Sequence, residues 1–149
     1  MSQLRVEAEG ITSADPEAVW SLVADANGYP SWGPWNDGGY QPAAEGPSRK
    51  GSVQWFRYGR HTTVEEILEA DEPRRLVYTV LRGMPVRNYR AEVTLTPAAP
   101  KGTSVRWTAT WDGTFMGRMV HRRLQQIYRQ VMTDLVAAAD HKDALDRQK

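Results

Sequence analysis

Residues 4–11 alternate apolar and polar side chains, with Leu4, Val6 and Ala8 set against Arg5, Glu7 and Glu9. A period of two is that of a half-buried β-strand. The next segment reads as a helix start: Asp15 can accept from the free amides of a first turn, Pro16 stands where its missing N–H costs nothing, and Glu17 favours the positive helix end. A helix from about Pro16 to Val23 is predicted. Gly28, Pro30, Gly33 and Pro34 interrupt the chain after it, so residues 24–35 are at most a short second helix and an irregular aromatic stretch.

Strand-like segments come next. A short strand is predicted around Tyr40, then one over residues 51–58 with Val53 and Trp55 on the same face, and Gly59 marks a tight hairpin into residues 61–70. Further strands are expected at 74–82, 87–96 and 103–112. The last two alternate most cleanly: Tyr89, Ala91, Val93 and Leu95 on one face of the first, and Val105, Trp107, Ala109 and Trp111 on one face of the second. Their other faces carry Arg90, Glu92, Thr94, Thr96, Arg106, Thr108 and Thr110, so the sheet has a wet side and a dry side. From Phe115 the period becomes 3.6, with Met116, Val120, Leu124, Ile127, Val131, Leu135 and Ala138 in one stripe. A helix of some two dozen residues, about 35 Å long, is enough to cross the sheet. Residues 141–149 are polar and are expected to fray, leaving one domain over residues 1–140.

Composition narrows the partners rather than the fold. The net charge of +1 over 149 residues gives no electrostatic case for nucleic acid or an anionic membrane. No stretch approaches the roughly 18 apolar residues of a membrane span, and the N-terminus lacks the apolar core of a signal peptide. The expectation is a cytoplasmic protein without integral membrane association, monomeric or homodimeric. Cysteine is absent, which removes disulfides, thiolate metal sites and a cysteine nucleophile together. Six Trp, six Tyr and two Phe exceed what a small core needs, and rigid rings are a usual lining for apolar pockets.

Strand, two short helices, about six more strands and a long closing helix is the element order of an α+β helix-grip fold. Ala14-Asp15-Pro16-Glu17-Ala18-Val19-Trp20-Ser21-Leu22-Val23 followed by Gly28-Tyr29-Pro30-Ser31-Trp32 resembles the opening of the START-like (SRPBCC) superfamily, in particular its bacterial polyketide cyclase/dehydrase and lipid-transport group. Glu72-Pro73-Arg74-Arg75-Leu76-Val77-Tyr78 is similar to that group's proline-bearing hairpin. The resemblance implies a cavity between sheet and long helix that holds a hydrophobic ligand, and members divide among carriers, sensors and ring-forming enzymes.

On that arrangement the ligand-binding candidates are Trp55, Tyr78, Tyr89 and Trp107 from strands, Met119, Val120, Leu124 and Tyr128 from the long helix, and Trp35 as a gate. The three tyrosines stand out, because a buried hydroxyl needs a partner and a ligand carbonyl would supply one. Aromatase/cyclases of the superfamily are thought to polarise carbonyls with a cavity Arg and Tyr. The matching strand, His61-Thr62-Thr63-Val64-Glu65-Glu66-Ile67-Leu68-Glu69, has no Arg, which leaves Arg57, Arg82 and Arg87 on other segments as candidates.

His61 could act as a base, but beside a hairpin glycine it is expected to be exposed. Glu65 and Glu66 are neighbours on a strand, point to opposite faces and are expected to be solvated. His121 with Arg118, Arg122 and Arg123 reads as the wet side of an amphipathic helix. No metal-ligand spacing, Gly-x-Ser-x-Gly elbow, phosphate loop or dinucleotide motif occurs, so no metal or cofactor is expected and catalytic residues stay unassigned. Three readings remain open: a binding protein for a lipid, polyketide, isoprenoid or aromatic compound; a cyclase or dehydratase using the same cavity; and an interaction module whose rings fill the hollow.

Overall fold

The structure is a computed structural model, and it describes residues 2–149. In chain order the elements are β1 (Gln3–Thr12), α1 (Pro16–Val23), a 3₁₀ turn (Ala26–Gly28), α2 (Tyr29–Trp32), β2 (Asp37–Tyr40), β3 (Val53–Tyr58), β4 (His61–Asp71), β5 (Arg75–Arg82), β6 (Arg90–Pro97), β7 (Thr103–Asp112) and α3 (Phe115–Arg147). The seven strands form one antiparallel sheet in the order β1-β7-β6-β5-β4-β3-β2, open between β1 and β2. With α3 closing the chain, this is the helix-grip-like α+β arrangement that the pattern predicted.

Alternation decides which side faces the core. Along β7, Val105, Trp107, Ala109 and Trp111 are buried while Ser104 and Arg106 are exposed, and β6 buries Ala91, Val93 and Leu95 in the same manner. The wet face carries ion pairs: Glu7 accepts from Arg5 and from Arg106, both at 2.8 Å, and Arg75 bridges Glu69 at 2.7 Å and Glu92 at 2.6 Å. All of these are partly open to water and contribute little individually.

The long helix is fastened to the edge strand β1. Gly10 leaves room for it: a Cβ there would lie 2.7 Å from Val136 Cγ2 and 2.9 Å from Met132 Sδ. Side chains of α3 also pair with backbone groups of β1 that β7 does not use. Gln125 donates to the Glu7 carbonyl at 2.8 Å and accepts from the Glu7 amide at 3.2 Å, and His121 Nε2 meets the Arg5 carbonyl at 2.8 Å. At the strand's end Thr12 Oγ1 donates to Asp140 at 2.6 Å. An unpaired strand edge is a template for aggregation, and here the helix covers it.

Two expectations are corrected. The helix does not fray after residue 140 but continues to Arg147, because Asp143 is held by Lys101 of the β6–β7 hairpin at 3.1 Å and by Arg147 at 3.0 Å. On β3 the inward face is Gln54, Phe56 and Tyr58, not Val53 and Trp55; the register pairs Gln54 with Glu65 and Phe56 with Thr63. A one-residue change of phase exchanges the two faces of a strand.

The tight seat at Gly10 yields a prediction. Gly10→Leu should overpack the β1–α3 contact and destabilise the protein by about 1–3 kcal/mol, seen as a lower urea midpoint with an unchanged native circular-dichroism spectrum. An unaltered midpoint would show that the contact is loose.

Candidate functional site

Fastened over β1, α3 leaves space above β3, β4 and β5. The result is a cavity of roughly 110 Å³ between the inner sheet face and the middle of the helix. Phe56, Thr63, Glu65, Tyr78 and Trp107 line it from the strands, and Leu124, Ile127, Tyr128 and Val131 from α3. An outer vestibule of roughly 270 Å³ adjoins it and shares Tyr58, Thr63, Met84, Leu124 and Ile127 with it; His61, Val120 and Arg123 border only this outer space.

One end is walled by the aromatic stretch after α1. Tyr29 stacks on Phe56 with centroids 4.5 Å apart and meets Trp35 at 4.7 Å and Trp32 at 5.0 Å. The Tyr29 hydroxyl donates to the Val23 carbonyl at 2.6 Å, which ties α2 to the end of α1. Gly33 lies under the Trp35 ring, where any side chain would collide with it.

A cluster of phenols fills much of the interior. Trp107 Nε1 donates to the Tyr78 hydroxyl at 3.0 Å, Tyr78 lies 3.5 Å from the Tyr128 hydroxyl, and Tyr128 is hydrogen-bonded to Tyr89. Burial pushes the pKa of each of these three tyrosines, and of Tyr29, well above the ordinary phenol value, so all four stay neutral.

Glu65 is the one carboxyl in this lining. It sits opposite Gln54 on β3, beside a register shift in the β4–β5 pairing, and Gln54 Nε2 donates to it at 3.0 Å. The residue is half-buried and lines the cavity. Burial raises its pKa from 4.5 to about 8, opposed in part by the Gln54 hydrogen bond. The carboxyl is therefore protonated at neutral pH, so the expectation of a solvated Glu65 is overturned. The alternation Thr63, Glu65, Ile67 carried the signal, but without the β3 phase nothing said which face was inside.

Of the candidates read from sequence, Trp35, Tyr78, Tyr89, Trp107, Leu124 and Tyr128 line the cavity and Val120 borders the vestibule. Trp55 and Met119 border neither. Trp55 is on the outward phase of β3, and Met119 is 62% exposed on α3. Arg57, Arg82 and Arg87 are exposed and line neither space. Tyr29, Phe56, Tyr58 and Met84 are lining residues that the sequence did not single out, and Glu65, expected in solvent, joins them. Among the described residues no three His, Asp or Glu gather to hold a metal ion, and no helix is long and apolar enough to cross a membrane.

The family model described as "Polyketide cyclase / dehydrase and lipid transport" matches residues 3–140. Among solved structures, a protein of Nitrosospira multiformis superposes with a TM-score of 0.76 at 18% identity, over 95% of this chain and 99% of that one. The protein XoxI from Bacillus cereus superposes with a TM-score of 0.73 at 21% identity, covering 100% of this chain and 99% of the other. A Thermobifida fusca protein reaches 27% identity and a TM-score of 0.70 over 92% and 91% of the two chains. The first two likenesses are of fold alone. No curated protein matches the chain.

The raised pKa of Glu65 makes stability depend on pH. Between its unfolded value of 4.5 and its folded value of about 8, the folded chain keeps a proton that the unfolded chain releases. Stability from this group is thus fully present below pH 4.5 and falls as pH rises, by up to about 1.4 kcal/mol per unit, until it levels off above pH 8. Glu65→Gln should remove that slope, so its unfolding midpoint, measured against wild type from pH 5 to about 8.5, should gain steadily toward alkaline pH. Parallel profiles would place the carboxyl in water.

Proposed function

We propose that this chain, which belongs to the polyketide cyclase / dehydrase and lipid transport family, binds a small apolar or amphipathic molecule, with one ring or short branch inside the cavity and its remainder in the vestibule. The observation that carries this reading is the adjacency of the two spaces, which share Tyr58, Thr63, Met84, Leu124 and Ile127 as lining. The inner volume of roughly 110 Å³ lies below the roughly 150 Å³ of an apolar protein cavity that holds benzene, so it takes at most one small ring and no long acyl chain. A ring bearing a few methylenes, at about 0.8 kcal/mol for each buried methylene, gains enough for micromolar to millimolar capture after ordering is subtracted. Aromatic compounds, isoprenoids and polyketide fragments fit this better than membrane lipids do.

A second reading, an enzyme of the cyclase or dehydratase type, is favoured by one feature only. Glu65 is a protonated carboxyl in a largely dry site, the kind of group that general acid catalysis uses.

Native mass spectrometry of the purified protein, together with an organic extract of it, is expected to show a co-purifying apolar molecule. Butylbenzene, a ring with a short tail, should alter the intrinsic Trp emission, because Trp107 lines the cavity. Leu124→Trp, placed where cavity and vestibule meet, should weaken butylbenzene at least tenfold with the fold intact. A clean apo mass and no response to butylbenzene would favour an interaction module instead.

A further inference from the structure

We propose that Glu65 and the tyrosine cluster form a hydrogen-bond-donating pole at the inner end of the cavity, which makes Glu65 the specificity-determining residue for a neutral, single-ring ligand bearing one carbonyl-type oxygen. The inference rests on the reading of the cavity as a ligand site.

The Glu65 carboxyl belongs to a hydrogen-bonded chain with Gln54, Ser48 and Tyr40. Ser48 Oγ donates to Gln54 Oε1 at 3.1 Å, and Ser48 is itself hydrogen-bonded to the Tyr40 hydroxyl at 2.9 Å, both residues buried. In this arrangement the Gln54 carbonyl faces Ser48 and its Nε2 faces Glu65 Oε1. One carboxyl oxygen is therefore already an acceptor. The proton resides on the other oxygen, Oε2, to which no protein group donates a hydrogen bond.

Protons can be counted in the phenol cluster too. Tyr78, Tyr89 and Tyr128 bring three hydroxyl protons, and only two oxygen-to-oxygen links join them, one of them long at 3.5 Å. Tyr78 also accepts from Trp107, which uses an acceptor site and no hydroxyl proton. Whichever way the chain is oriented, one O–H is left without an acceptor inside the cluster. A buried donor without a partner is costly, and a ligand oxygen would satisfy it.

Charge excludes the other ligand classes. The titratable groups facing Glu65 from β3, β5, α2, α3 and the start of β6 are the phenols Tyr58, Tyr78, Tyr29, Tyr128 and Tyr89; Arg123 and His61 border only the vestibule. A ligand carboxylate would meet no cation in this dry site and would stand beside a second carboxyl. An ammonium ion could pair with an ionised Glu65 but has no lone pair for the surplus hydroxyl. A ketone, aldehyde or quinone oxygen accepts from both donors without any charge being buried.

The test uses four probes of one size: acetophenone, ethylbenzene, benzylamine and benzoate. At pH 7 acetophenone should bind wild type about tenfold more tightly than its hydrocarbon isostere ethylbenzene, as expected for a hydrogen bond or two in a dry site. Glu65→Gln, whose amide still donates, should keep most of that preference, whereas Glu65→Leu should cut the ratio to the few-fold that the tyrosine hydroxyl alone sustains, with ethylbenzene binding retained. In wild type the preference should also shrink as the pH passes 8, and in Glu65→Gln it should not.

Equal binding of acetophenone and ethylbenzene would overturn the donor pole and leave the cavity reading standing. Tighter binding of benzylamine or benzoate would overturn it in favour of a charged ligand. Failure of all four probes and of butylbenzene would remove both the pole and the ligand site beneath it. Retention of the full acetophenone preference in a folded Glu65→Leu protein would overturn Glu65 as the specificity-determining residue and assign that role to another group.

Discussion

Everything in this molecule depends on how α3 is seated. A long amphipathic helix laid squarely on a seven-stranded sheet would press out the space between them. Here it is held at one edge: Gly10 lets it approach β1, Gln125 and His121 take up backbone groups that β1 would otherwise leave bare, and Asp140 closes the far end on Thr12. Away from that edge the helix and sheet diverge, and long aromatic side chains bridge the gap. Because rings are rigid and fill such a wedge imperfectly, a small cavity persists.

The same geometry sorts the charges. Arg5, Arg75 and Arg106 are on the outer sheet face, where they pair with Glu7, Glu69 and Glu92 beside water. The inner side holds phenols, indoles and one carboxyl, with no guanidinium among the cavity-lining residues. Such a site is neutral at neutral pH yet rich in donors. It can orient an uncharged polar group and has nothing to offer an anion. This differs from the Arg-assisted polarisation thought to operate in aromatase/cyclases, and the difference originates in a strand, β4, that offers Glu65 and no arginine.

The amino-acid sequence alone determined the elements and most of the dry face. Period-two runs on β1, β6 and β7, the Asp15-Pro16-Glu17 helix start and the 3.6-residue stripe of α3 are local patterns, and local patterns survive folding when their apolar face is also the buried one. That is why Tyr78, Tyr89, Trp107, Leu124 and Tyr128 could be placed toward the cavity from the pattern of the chain. Three things were decided only in three dimensions. The inward phase of β3 was ambiguous, since Trp55 and Phe56 are equally apolar and only the pairing with β4 chooses between them. The last turns of α3 look too polar to persist, and they do so because Lys101, more than forty positions earlier, reaches Asp143. Glu65 reads as a surface acid, and its protonated, inward state comes from what surrounds it: Gln54 across the strand pair and phenols drawn from distant parts of the chain. Periodicity is written residue by residue, whereas register, remote ion pairs and desolvation belong to contacts between segments far apart in sequence.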